Sequence, residues 1–220
     1  MTWIKICGTT NLEDARVAVE GGADALGFVF YEKSPRQINP ETAGKIAAKL
    51  PASIEKVGVF VEEPVEGILL TVAEAGLTAA QLHGDRYLEP KSFQQLKSAR
   101  DLKVFLVVPA KNLSSTDWLK GKGLGVNAVF FDSGTPQLPG GTGKAFDWSS
   151  AAPAIEAISK DANVVVAGGL TPANVGEAIR ILKPWGVDVA SGVEARPGKK
   201  DPEKVRAFIE AVRQADKKKN

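Results

Sequence analysis

The 220-residue sequence contains one Cys and one His, so its chemistry has to run on carboxylates, Arg, Lys and a single thiol. That inventory rules out an internal disulfide, an iron–sulfur cluster and a zinc site built on paired His and Cys. Cys7 closes the apolar run Trp3-Ile4-Lys5-Ile6-Cys7, just before Gly8-Thr9-Thr10. A lone Cys is either a small buried hydrophobe or, where neighbouring positive charge draws its pKa below the usual value of about 8.5, a thiolate nucleophile or base. Asp132 ends Val129-Phe130-Phe131-Asp132. It reads either as a turn former ahead of Ser133-Gly134 or as a carboxyl that burial beside Phe130 and Phe131 keeps protonated for use as a general acid.

Two small-residue segments suit an anion. Val166-Ala167-Gly168-Gly169 and Ser191-Gly192-Val193-Glu194 each follow an apolar run, and backbone N–H groups in such turns can hold a phosphate; glycine pairs are also ordinary turn residues. Arg36, in Ser34-Pro35-Arg36, is either a solvated surface cation or a planar fork for a ligand carboxylate. His83 ends Gln81-Leu82-His83 and alone cannot make a metal site, which leaves hydrogen bonding and orientation as its functional option. Pro139-Gly140-Gly141-Thr142-Gly143-Lys144 superficially resembles a nucleotide-binding loop but lacks its spacing. ATP is therefore discarded, and Gly141 and Gly143 are read as part of a glycine-rich lid beside Asp132.

The elements that must position these residues repeat along the chain. Eight short runs rich in Val, Ile and Phe span Trp3 to Cys7, Ala25 to Phe30, Lys56 to Val61, Ala79 to His83, Lys103 to Val108, Ala128 to Asp132, Val164 to Gly168 and Val187 to Ser191. Between them lie helical spacings such as Leu12, Ala15, Val19 and Val205, Phe208, Ile209, Val212. Asn11 caps the first helix and Gly21-Gly22 closes it; Thr171-Pro172 opens the seventh and Asp201-Pro202-Glu203 the eighth. Nearly continuous apolar runs fit parallel strands buried on both faces. The 220 residues over eight units leave about 27 for each, the size of one strand, one helix and two short loops. The expected fold is an α/β class (β/α)8 TIM barrel in one domain spanning 1–220, with 216–220 as a disordered basic tail. An open doubly wound sheet is disfavoured because no GxGxxG follows the first strand. In a barrel the candidates all fall at strand C-terminal ends, where such folds carry their sites. Lys5 shares a strand face with Cys7 and points inward, so it requires a buried carboxylate, Asp188 or Asp24.

Composition excludes other classes. Hydrophobic residues make up 44% and charged residues 25%, with a net charge of +2, which recommends neither a nucleic-acid nor a membrane partner. No stretch approaches the roughly 18 apolar residues of a membrane span, and the expected location is cytoplasmic.

In order along the chain, Lys5-Ile6-Cys7-Gly8, Gly22-Ala23-Asp24-Ala25-Leu26-Gly27-Phe28-Val29-Phe30, Ser34-Pro35-Arg36, Val57-Gly58-Val59-Phe60-Val61, Gln81-Leu82-His83-Gly84, Gly140-Gly141-Thr142-Gly143-Lys144-Ala145-Phe146-Asp147-Trp148, Ala167-Gly168-Gly169-Leu170 and Ser191-Gly192-Val193-Glu194 resemble the phosphoribosylanthranilate isomerase family of tryptophan biosynthesis. The resemblance implies an Amadori rearrangement of a small-molecule sugar phosphate, without metal or organic cofactor, by a monomer or homodimer. It implies Cys7 as general base, Asp132 as general acid, Arg36 as the carboxylate anchor, Gly168, Gly169, Ser191 and Gly192 as the phosphate site, and His83 as a pocket residue. An aldose-to-ketose shift needs one group to take a proton from carbon and another to give one to oxygen, over a ligand held at both ends. A histidine-pathway isomerase of similar layout carries Asp in place of Cys7. Indole-glycerol-phosphate synthase needs a catalytic strand-end Lys, which Lys5 is too deep to supply. A non-catalytic phosphate-binding barrel is the remaining alternative, disfavoured by the presence of both Cys7 and Asp132.

Overall fold

Eight strands, β1 (Trp3–Cys7), β2 (Ala25–Val29), β3 (Glu55–Val61), β4 (Ala79–His83), β5 (Lys103–Pro109), β6 (Ala128–Asp132), β7 (Val164–Val166) and β8 (Gly186–Val189), form the core of the computed structural model. The structure describes residues 1–88, 95–96, 101–110, 125–133 and 146–218. Each strand pairs in parallel with the next, and β8 returns to β1 to close the barrel. Alternation along each strand accounts for the continuous apolar runs. One set of side chains, including Ile4, Ile6, Leu26, Phe28 and Phe60, packs outward into the layer shared with the helices. The other set, including Ala25, Val57, Ala79, Phe105, Phe130 and Val165, fills the barrel. Trp3 meets Phe105 and Phe130 edge-on at ring separations of 6.0 and 6.3 Å, filling the N-terminal end.

The described helices are α1 (Leu12–Gly21), α2 (Pro40–Ala47), α3 (Val65–Ala75), α4 (Trp148–Ile158), α5 (Val175–Leu182) and α6 (Pro202–Lys217). Most of the segments after β4 and β5, where two more helices are expected, lie outside the described residues. Asn11 caps α1 by accepting from the Asp14 N–H, and Gly22 closes it in the left-handed region. Val205, Phe208, Ile209 and Val212, at the spacing of one helix face, are the buried residues of α6. After β8 a short antiparallel hairpin, β9 (Glu194–Arg196) with β10 (Lys199–Lys200), precedes that helix.

Several boundaries differ from the sequence expectation: β8 covers Gly186–Val189 where 187–191 was expected, with Ser191 in a 3-10 turn, and three further differences have a local cause. The seventh strand stops at Val166 instead of reaching Gly168, because Gly168 and Gly169 take positive φ of 80° and 67° and turn the chain. Thr171-Pro172 does not open the next helix, which begins at Val175. Asn174 explains this: its Oδ1 accepts from the Thr171 N–H at 2.8 Å and its Nδ2 donates to the Gly169 carbonyl at 2.9 Å, folding 171–174 into a turn. The tail expected to be disordered from 216 is helical through Lys217. Asp216 accepts from the Thr2 N–H and hydroxyl at 2.8 and 2.6 Å, tying the last helix to the start of the chain. Among the described residues no helix is long and apolar enough to cross a membrane.

Candidate active site

The strand parity that fills the barrel also sets the site. Cys7 on β1, Gln81 and His83 on β4, Asp132 on β6 and Asp188 on β8 all occupy inward positions at or near strand ends. They line one cavity, with Arg36 from the loop after β2 and Gly168, Gly169, Ser191 and Gly192 from the turns after β7 and β8. Apart from Gly141 and Gly143, which lie outside the described residues, every site residue expected from the sequence borders this space. Asp188 and Gln81 border it too, although the sequence singled out neither as a pocket residue.

Cys7 stands above a buried ion pair. Lys5, one layer deeper and fully buried, donates from Nζ to Asp188 Oδ1 at 2.9 Å. Its other candidate partner, Asp24, instead accepts from the Ile4 N–H and from Arg213, on the outside of the strand. Burial opposes the Lys5 charge, yet Asp188 and Cys7 outweigh it and hold the ammonium above its ordinary pKa. For Cys7 the balance goes the other way. Burial, with the Asp188 charge adding to it, pushes the thiol up, and the attraction of Lys5 offsets this only in part. The positive neighbour sought in the sequence is present, but it does not bring the thiol below its reference value.

At the far wall, Asp132 sits where β6 meets the turn after β7. Gly168 makes this approach possible: a Cβ there would lie 2.2 Å from Ser133 Oγ and 2.8 Å from Asp132 Oδ1. The positive φ and the absence of a side chain at Gly168 therefore bring the Asp132 carboxyl against the small-residue turn. Ser191 to Val193 form a 3-10 turn beside it, completing a wall rich in backbone polar groups.

His83 approaches Gln81, with His83 Nε2 and Gln81 Nε2 3.1 Å apart. Burial, followed by repulsion from Lys5, pushes the imidazole pKa down to about 3. His83 is therefore neutral near pH 7, accepting from the Gln81 amide at Nε2. The Gln81 Oε1 is buried and has no partner among the described residues, leaving an acceptor in the cavity wall. Arg36 lines the cavity but is not a free fork: its Nε and Nη2 donate to the two carboxylate oxygens of Glu194, each at 2.8 Å. No local sequence signal marked Glu194 for this, since the two residues are 158 positions apart.

The family model described as N-(5'phosphoribosyl)anthranilate (PRA) isomerase matches residues 4–211. The chain belongs to this family. An N-(5'-phosphoribosyl)anthranilate isomerase of Chlorobaculum tepidum is 45% identical over 217 residues, covering 99% of this chain and 97% of the relative. The isomerase structure from Thermus thermophilus superposes with a TM-score of 0.84 at 35% identity, covering 97% and 99% of the two chains. A third isomerase, solved in complex with reduced 1-(o-carboxyphenylamino)-1-deoxyribulose 5-phosphate, gives a TM-score of 0.77 at 38% identity, covering 97% and 100%. As a phosphoribosylanthranilate isomerase family member, the chain is an isomerase of tryptophan biosynthesis.

Proposed function

We propose that this isomerase converts N-(5'-phosphoribosyl)anthranilate into 1-(2-carboxyphenylamino)-1-deoxyribulose 5-phosphate by an Amadori rearrangement, with Cys7 as general base and Asp132 as general acid. The observation that carries the reading is the placement of Cys7 and Asp132, from strands three apart around the ring, on one cavity that also holds Arg36 and the turns after β7 and β8. The ligand named in the solved relative has a carboxylate at one end and a phosphate at the other, which matches a cavity lined by both a guanidinium and small-residue turns.

Asp132 gives its proton to the furanose ring oxygen; the C1′–O bond breaks as the anilino nitrogen lone pair forms a C1′=N bond, opening the ring to a protonated Schiff base. The Cys7 thiolate then takes the C2′ proton, and the released electron pair forms C1′=C2′ while the C1′=N pair returns to nitrogen. Loss of the C2′ hydroxyl proton and protonation of C1′ turn this enol into the ketone. Each proton carrier contributes about 10² to 10⁴ in rate. Arg36 holds the anthranilate carboxylate, the backbone of Gly168, Gly169, Ser191 and Gly192 holds the phosphate, and neutral His83 with Gln81 borders the sugar.

Fluorescence of phosphoribosylanthranilate generated in place tests the proposal: it decays faster with the protein than without it. The aminoaldose with two phosphates from the histidine pathway, run in parallel, turns over more slowly. Unchanged fluorescence decay would contradict the activity, and faster turnover of the second substrate would move the specificity.

A further inference from the structure

Glu194 is 8% exposed and opens the β9–β10 hairpin. Both of its carboxylate oxygens face Arg36, and Oε1 also accepts from Lys200 Nζ at 3.1 Å and from the Gly198 N–H at 3.3 Å. Burial raises its pKa, but the hydrogen bonds from Arg36 and the charge of Lys200 prevail and hold it below the usual carboxylate value. Lys200, on the other hairpin strand and 1% exposed, spends its remaining hydrogen bonds on the carbonyls of Cys7 and Ala190, at 2.5 and 3.2 Å. Three acceptors match the three N–H groups of an ammonium. One carboxylate thus joins Arg36 to a lysine that clamps the chain ends of β1 and β8.

The geometry leaves Arg36 with a single edge to offer. A guanidinium has five N–H donors in a fixed plane; Glu194 takes the Nε–Nη2 edge, so Nη1 and the outer hydrogen of Nη2 remain. The stem lies across Gly8, where a Cβ would come within 2.5 Å of Arg36 Cδ. Burial draws the Lys200 ammonium below its ordinary pKa and its N–H groups are all spent, so the donors left to face an anion are those of Arg36.

We propose that Glu194 is a positioning residue that presents the Nη1–Nη2 edge of Arg36 to the substrate carboxylate, with Lys200 anchoring Glu194. The inference rests on Arg36 being the carboxylate subsite. The test compares wild type, Arg36→Ala and Glu194→Gln on the substrate and on two inhibitors: N-methylanthranilate, which has a carboxylate and no phosphate, and ribose 5-phosphate, which has the reverse. Losing the charge-assisted pair in Glu194→Gln raises KM by about tenfold or more and weakens N-methylanthranilate inhibition by the same factor. It leaves kcat and ribose 5-phosphate inhibition within about threefold. Equal weakening of both inhibitors, as from a general loosening of the pocket, or no weakening of either, overturns the proposal. If Arg36→Ala itself leaves N-methylanthranilate inhibition unchanged, the carboxylate subsite falls and the positioning role with it; if only Glu194→Gln is silent, the positioning role alone falls. Should Glu194→Gln not fold, Glu194→Asp, which keeps the charge but shortens the reach, is read for the same split between the two inhibitors.

Discussion

Lys5 and Asp188 stand opposite each other in the β1–β8 register and meet at 2.9 Å, directly beneath the Cys7 thiol. The pair fills the barrel interior where an apolar side chain would otherwise sit, and it places a positive charge under the proposed base. Its stability consequence is one-sided: removing a single partner leaves an uncompensated buried charge, whereas removing both does not.

Asp188→Ala is therefore expected to cost about 3–5 kcal/mol, a fall in Tm of roughly 6–20 °C for a chain of this size. The double replacement Lys5→Met with Asp188→Leu is expected to cost much less. Thermal unfolding followed by circular dichroism compares them; a double variant as unstable as the single one would show that the charge pair is not what the site depends on.

His83 makes stability depend on pH in a defined window. Its folded pKa of about 3 lies below the ordinary 6.5, so the unfolded chain binds a proton that the folded chain refuses. The contribution is complete above pH 6.5 and is lost as pH falls from 6.5 toward 3, by at most about 1.4 kcal/mol per unit. Because His83 is partly exposed to the cavity, the slope should be shallower than that limit. Urea unfolding between pH 6.5 and 5 should show this slope in wild type and lose it in His83→Gln; equal slopes would place the titration elsewhere.

The raised Cys7 thiol predicts the pH dependence of activity. A base works deprotonated, so kcat/KM should climb about tenfold per pH unit on the acid side of the thiol pKa and level off only in the alkaline range. Cys7→Asp, which substitutes a base of lower pKa, should move that rising limb toward acid. A wild-type profile flat between pH 6 and 8 would be inconsistent with Cys7 as the base.

Crystals soaked in sulfate should show the anion beside the backbone of Gly169 and Gly192. Occupancy only at other positions would argue against these turns as the phosphate site.

Local signals in the sequence carry through to the fold, and long-range pairings do not. The strand ends carrying Cys7, His83 and Asp132 were legible because period-two alternation and following polar turns are local signals, and in a closed barrel those ends converge; the runs read to Gly168 and Ser191 overshot β7 and β8 by two residues each, because the turns there begin earlier. Lys5 could be assigned a buried carboxylate because an unpaired ammonium is prohibitive inside a barrel. Long-range pairing was not legible. Glu194 lies beyond the eighth strand and meets Arg36 across 158 positions, and Asp216 meets Thr2 across 214. The first changed Arg36 from a free fork to a half-occupied one, and the second turned an expected tail into the end of a helix. Thr171-Pro172 misled for a subtler reason: proline at a first helical turn is a sound signal, but the Asn174 side chain offered the backbone a competing turn.

Because the Cys7 thiolate is proposed to remove the C2′ proton, Cys7→Ala, shown by circular dichroism to stay folded, should lose at least about 10² in kcat on phosphoribosylanthranilate; turnover within tenfold of wild type would mean that another group is the base.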